Sequence, residues 1–159
     1  YNKKYIECIP REKGGGLVNA SHDISILSNC TRDPENRRYY TPEGNEIVET
    51  AQFFILILDG ETAQQAVLAF TSTQLGVARK WLTMLRMARV QNSKGDSVEA
   101  PMFAYNYKLT TTTQSNDKGS WNAYSVNQAG ATDMATAMMA KDFMSAARSG
   151  DVAVKEEQQ

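Results

Sequence analysis

Trp121, Lys108 and Lys118 sit inside one stretch, PMFAYNYKLTTTTQSNDKGSWNAYSVNQ over 101–128, that mixes aromatic rings with cations. Rings of this kind stack on nucleic-acid bases, and lysines meet phosphates, which is the chemistry of proteins that hold a single strand with little sequence preference. Read as a strand, its first half puts Phe103, Tyr105, Tyr107 and Leu109 on one side and Met102, Ala104, Asn106, Lys108 and Thr110 on the other. Tyr124 and Val126 complete the first row, which leaves Trp121 with Lys108 on the opposite face; a shift of one residue in the pairing exchanges the two assignments. Trp121 and Lys108 are the leading candidates, Lys118 at the turn follows, and Tyr105 and Tyr107 are alternates. For each ring, ordinary core packing competes with stacking on equal terms.

A second set of cations lies upstream. Between 74 and 90, Leu75, Ala78, Trp81, Leu82, Leu85 and Ala88 recur at helical spacing and make an apolar face. Arg79, Lys80 and Arg86 fall on the opposite arc with Thr83, a basic stripe that is either a solvated face or an added phosphate contact.

Those residues must be positioned by the rest of the chain. The 159 residues suit one domain, expected over 1–150, with 151–159 as a polar, mobile tail. With 17 basic and 18 acidic residues, attraction for a polyanion cannot come from bulk charge and requires local segregation. Early strands are expected at 5–9, 17–20 and 24–27, and 30–45 reads as a long polar loop. Residues 47–58 form the strongest strand, with a centre, Phe53-Phe54-Ile55-Leu56-Ile57-Leu58, that is apolar on both faces and must be covered. Asp59-Gly60 turns it into a hairpin returning over 65–71, and Gln114 to Gly119 reads as a longer loop in a second hairpin over 102–127. A helix over 132–148 begins at Thr132 or Asp133 and stops at Gly150. The fold class is therefore mainly β with two helices (α+β), and the order of elements fits an OB-like five-stranded barrel with a helix between its two main hairpins and a C-terminal helix. A two-layer sheet packed by two helices gives nearly the same order.

Other chemistries are poorly supported. His22 beside Asp23 has no nucleophile signature with it, and Asp59 with Glu61 is turn composition, so no catalytic residue, metal site or cofactor is expected. The glycine run Gly14 to Gly16 lacks the lysine-threonine pair of a phosphate loop and reads as a flexible turn. Cys8 and Cys30 are expected as free thiols. The apolar run 53–58 is far shorter than the ~20 residues of a membrane helix, so no membrane partner is expected.

The segments FTSTQLGVARKWLTMLR and PMFAYNYKLTTTTQSNDKGSWNAYSV resemble a group of small phage-encoded proteins, some of them associated with single-stranded DNA binding. The likeness covers roughly residues 50–150, with QSNDKGSW its most distinctive piece. It implies an OB-like barrel that binds single-stranded DNA during phage replication or recombination, in the host cytoplasm. The chain departs from such proteins in its tail, where Lys155-Glu156-Glu157 stands in place of a strongly acidic end. RNA is the alternative to DNA as the bound strand, and a homo-oligomer the alternative to a monomer. The rival reading is a structural or assembly component of a virion, which β-rich elements and methionine-rich helices also suit.

Overall fold

In the computed structural model, residues 1–60, 62–117 and 119–150 are described. Among the described residues there are ten strands and two α-helices: β1 (Asn2–Cys8), β2 (Leu17–Ser21), β3 (Thr31–Arg32), β4 (Tyr39–Tyr40), β5 (Glu46–Asp59), β6 (Thr62–Thr71), α1 (Leu75–Met87), β7 (Arg89–Gln91), β8 (Ser97–Glu99), β9 (Tyr105–Asn116), β10 (Gly119–Ala131) and α2 (Met134–Ser149). The protein is mainly β with two helices, and α1 does fall between the two long hairpins.

The chain divides into two compact units, one formed by 1–53 with 68–75 and one by 54–67 with 76–159; the division falls within β5 and β6. The strands of the larger sheet run in the order β2-β1-β5-β4-β3, with β6 also on β5. β5 is its centre, with Ile47, Thr50, Ala51 and Phe53 buried, but the cover expected over the whole run 53–58 is partial: Phe54 to Leu56 are half-buried and Ile57 and Leu58 are 47% and 43% exposed, because β1 and β4 pair with β5 only as far as Gln52. In the first unit Phe70 is fully buried and meets Phe53 edge-on at 5.6 Å, while Tyr1 lies 5.0 Å from the same ring. Lys3 and Glu49 close a cross-strand pair at 2.6 Å on neighbouring β1 and β5.

The OB-like barrel does not form through these ladders. A closed barrel would need a strand of the second hairpin to pair with the first. Both edges of β1 are already taken, by β2 and by β5, and β9 and β10 form a two-stranded sheet of their own. The sheets are open.

Two local expectations change for identifiable reasons, and 91–100 gains structure as well. Residues 24–27, read as a strand, form a 3-10 turn, because the Asp23 carboxylate accepts the Ser25 N–H at 2.9 Å and Ser28 N–H closes on the Ser25 carbonyl. The loop 30–45 contains β3 and β4, brought together around Asp33, whose carboxylate accepts the N–H groups of Glu35 and Asn36. The polar link 91–100 is half hairpin: Asn92 Oδ1 accepts from the N–H of both Lys94 and Asp96, so β7 and β8 pair across it.

In the second unit α2 begins where its sequence says it should. Asp133 caps it by accepting the Thr136 N–H at 2.9 Å and the Thr136 hydroxyl at 2.7 Å, and Gly150 ends it in the left-handed conformation that favours glycine. Phe143 is the buried anchor of the helix and sits 6.2 Å from Phe54. Cys8 and Cys30 are free thiols, and burial pushes both above the usual thiol range.

Candidate nucleic-acid interface

The ribbon of β9 and β10 follows from its composition. Threonine, tyrosine and valine favour extended backbone, and Thr110 to Thr113 keep β9 extended where no apolar row demands a cover. The register runs from Tyr105 opposite Ala131 to Asn116 opposite Gly119, so Gln114 and Ser115 continue the ladder instead of forming the long loop expected of them. One irregularity, between Gln128 and Gly130, sits near the base.

That register fixes the faces. Lys108, Thr110, Thr112 and Gln114 share one face with Asn127, Ser125, Ala123 and Trp121, and Tyr107, Leu109 and Thr111 share the other with Gln128, Val126 and Tyr124. Trp121 and Lys108 thus do lie on the face opposite the tyrosine row. Covering differs from the expectation. On the Trp121 face Ala123 is only 3% exposed and the Trp121 indole nitrogen is buried without a hydrogen-bond partner, whereas Leu109, in the row expected to be covered, is 41% exposed and Tyr124 is exposed too. From Lys108 to Asp117 every residue is exposed.

The base of the ribbon is held to its own unit. The Tyr107 ring lies 5.7 Å from that of Trp81 on α1, and burial raises its phenol above the ordinary tyrosine value. The Tyr105 hydroxyl donates to the Arg89 carbonyl at 2.7 Å, and Thr132 donates to Asn106 Oδ1 at 3.0 Å. These two tyrosines are therefore committed to packing and anchoring in this structure.

On α1, Ala78, Trp81 and Leu85 are buried while Arg79, Lys80, Thr83 and Arg86 are exposed, as the periodicity requires. Because Trp81 turns toward Tyr107, the basic stripe faces away from the base of the ribbon. The basic stripe and Lys108 thus lie on different elements, α1 and β9. Lys118 lies outside the described residues, as do Glu61 and the tail 151–159. Among the described residues no ion pair engages Arg79, Lys80, Arg86 or Lys108, while Arg38 on the first unit is paired with Glu46 at 3.0 Å.

A signal in the sequence marks the same region. Residues 62–131 hold seven basic and three acidic residues, with no acid at all from 62 to 95, whereas 1–61 hold seven basic and ten acidic. The near-neutral total conceals this segregation. The exposure of Tyr124 carried no such signal, since its alternation matches that of a covered row.

Elsewhere in the second unit, an open cavity of about 350 Å³ is lined by Leu56, Ala63 and Gln65 from the hairpin and by Met139, Asp142, Phe143 and Ala146 from α2. Its one charged group is a carboxylate, which suits no anion. Among the described residues no three histidine, cysteine or carboxylate side chains gather to hold a metal, and no helix is long and apolar enough to cross a membrane. No curated protein and no solved structure matches the chain. The family described as Pam3 phage gp34-like protein matches residues 1–153, and the chain belongs to that phage family.

Proposed function

We propose that the protein binds single-stranded nucleic acid, DNA in the first instance, along the outer half of the β9–β10 ribbon, in phage replication or recombination and in the host cytoplasm. The observation that carries this reading is the run of exposed residues on both faces of the ribbon, rich in hydroxyl and amide groups and holding Lys108 and Tyr124 with a single acid, Asp117. Tyr124 and Trp121 supply rings on opposite faces, Lys108 and Lys118 meet phosphates, and Arg79, Lys80 and Arg86 on α1 hold a more distant part of the strand. Tyr105 and Tyr107 position the ribbon rather than stack. The reading rests on the ribbon and does not require an OB-like barrel, a cofactor or a catalytic step.

A titration of tryptophan fluorescence with oligo-dT at two salt concentrations tests it. Binding should weaken as salt rises, and Lys108→Ala should lower the slope of log K against log salt by about one phosphate contact. Tyr124→Ala should weaken binding by ~1–3 kcal/mol with the fold intact, and Trp121→Ala by a similar amount. Absence of binding at low salt would overturn the reading. The rival, a virion structural or assembly component, draws on Met134, Met138 and Met139, which α2 leaves exposed. Finding the protein by mass spectrometry in purified virions, with no oligonucleotide binding, would favour it.

A further inference from the structure

Among the described residues β9 and β10 pair only with each other, so the ribbon is two strands wide and neither outer edge is taken by a third strand. Its exposed run, 108–117, is about 30 Å long at the rise of an antiparallel strand, close to one turn of duplex DNA. The major groove, about 12 Å wide, admits a two-stranded ribbon, and the strong right-handed twist of such ribbons suits its curve. The two faces differ in cover. On one, Ala123 is buried and the Trp121 indole nitrogen is closed off from solvent; on the other, Thr111, Thr113, Ser115, Ser120 and Asn122 are all exposed and none carries a charge. The Thr113 hydroxyl donates to Asn122 Oδ1 at 3.2 Å across the strands, which holds that amide in place. A surface built for stacking offers a ring to each base, and the outer half of this face has one, Tyr124. Hydroxyl and amide groups instead pair with base edges, asparagine with adenine above all. Between 100 and 132 the one acid is Asp117, in the turn, so no carboxylate opposes a phosphate along either strand.

We infer that the ribbon also binds duplex DNA, lying in the major groove with Thr111, Thr113 and Asn122 on the base edges. The outer N–H groups of β9 and β10 and the Lys108 ammonium meet phosphates on the groove walls, which fixes depth and register without reading sequence. Asn122 supplies the reading, and its pairing chemistry selects adenine. The inference rests on the reading of the ribbon as a nucleic-acid surface and adds to the single strand a second ligand, a duplex recognised by its major-groove edges.

Fluorescence anisotropy of the full chain with labelled oligo-dT and with alternating A·T and G·C duplexes, each about two helical turns long, tests it. Both duplexes should bind more weakly as salt rises, with the A·T duplex preferred. Replacing adenine by 7-deazaadenine removes the N7 acceptor from the major groove and leaves the minor groove as it was. That change should weaken A·T binding by about tenfold, and Asn122→Ala should do the same to the natural duplex. Oligo-dT binding and Tm should be unchanged in Asn122→Ala, because the side chain is exposed. Oligo-dT binding without duplex binding, or duplex binding indifferent to both 7-deazaadenine and Asn122→Ala, would overturn the inference and leave the single-strand reading standing. Duplex binding with those sensitivities but no oligo-dT binding would support the inference and overturn that reading. A chain that binds neither at low salt overturns both.

Discussion

The β5–β6 hairpin and the β9–β10 ribbon are built on the same local plan and end in opposite environments. Both are long antiparallel pairs rich in β-branched and aromatic residues. β5 is flanked by β1, β4 and β6, and its first half is buried, down to Ala51 at 2% exposure. β9 has only β10 beside it, and beyond Tyr107 it is exposed to its tip. The difference lies in what alternates. The part of Glu46–Asp59 that β1 and β4 flank, with Phe53 just beyond it, carries Ile47, Ala51 and Phe53, whose cover releases water, while Ile57 and Leu58 at its far end stay 47% and 43% exposed. Thr110 to Thr113 offers a methyl and a hydroxyl at each step, which is content in water and gains little from cover. A two-stranded ribbon standing alone is marginal in water, so its anchors to α1 and to the Arg89 carbonyl carry its stability while its outer half stays available.

The sharpest way to break this contrast is to compare truncations in the two regions. Phe70→Ala, at a position with no exposure and an edge contact to Phe53, should cost ~3–5 kcal/mol in chemical denaturation. A loss under 1 kcal/mol would mean that the core of the first unit is not where the burial pattern places it.

An intermediate effect is expected at the start of α2, where one side chain does the positioning. The Thr136 N–H, and after it the Thr136 hydroxyl, hold the Asp133 carboxyl below the ordinary value of 3.8. Because the folded state binds the proton less readily than the unfolded chain, the stabilisation is complete above 3.8 and is lost as pH falls through that value toward the folded one. Asp133→Ala should therefore lower Tm at neutral pH, and the gap to wild type should close as the solution is acidified below that range. A gap independent of pH would assign the effect to packing and not to the charged cap.

The smallest effect belongs to the ribbon. Leu109→Thr and Thr112→Ala should each change stability by less than ~0.5 kcal/mol, because neither side chain has a core to leave. If Leu109→Thr instead costs as much as a core truncation, the outer ribbon is covered in solution by another molecule, and the exposed face seen in the single chain is an interface.

The two helices, the long hairpins and the end points of α2 were legible from spacing, because a helical or strand period must satisfy its own backbone and bury its own apolar face. Asp133 and Gly150 act within one turn of themselves, so their roles need no tertiary partner. The same locality explains why the 3-10 turn at 24–27 could have been read: the capping signal of Asp23 was there, outweighed by the apolar alternation of Ile24, Ile26 and Leu27. Register, too, was anticipated in part, since Trp121 and Lys108 share a face as alternation allows.

Sequence by itself could not decide which of two ribbon faces is covered, because period two is identical for a row that packs and a row that does not. The packing of α1 on Tyr107, which covers the ribbon's base and turns Arg79, Lys80 and Arg86 outward, is a pairing of surfaces distant in the chain. Barrel closure was undecidable for the same reason. Element order permitted it, and the ladders decide it: among the described residues β9 and β10 pair only with each other, and the larger sheet stays open. Local chemistry determined the elements, and which strand edges pair across long separations in the chain, a choice that no local period encodes, determined how they were joined.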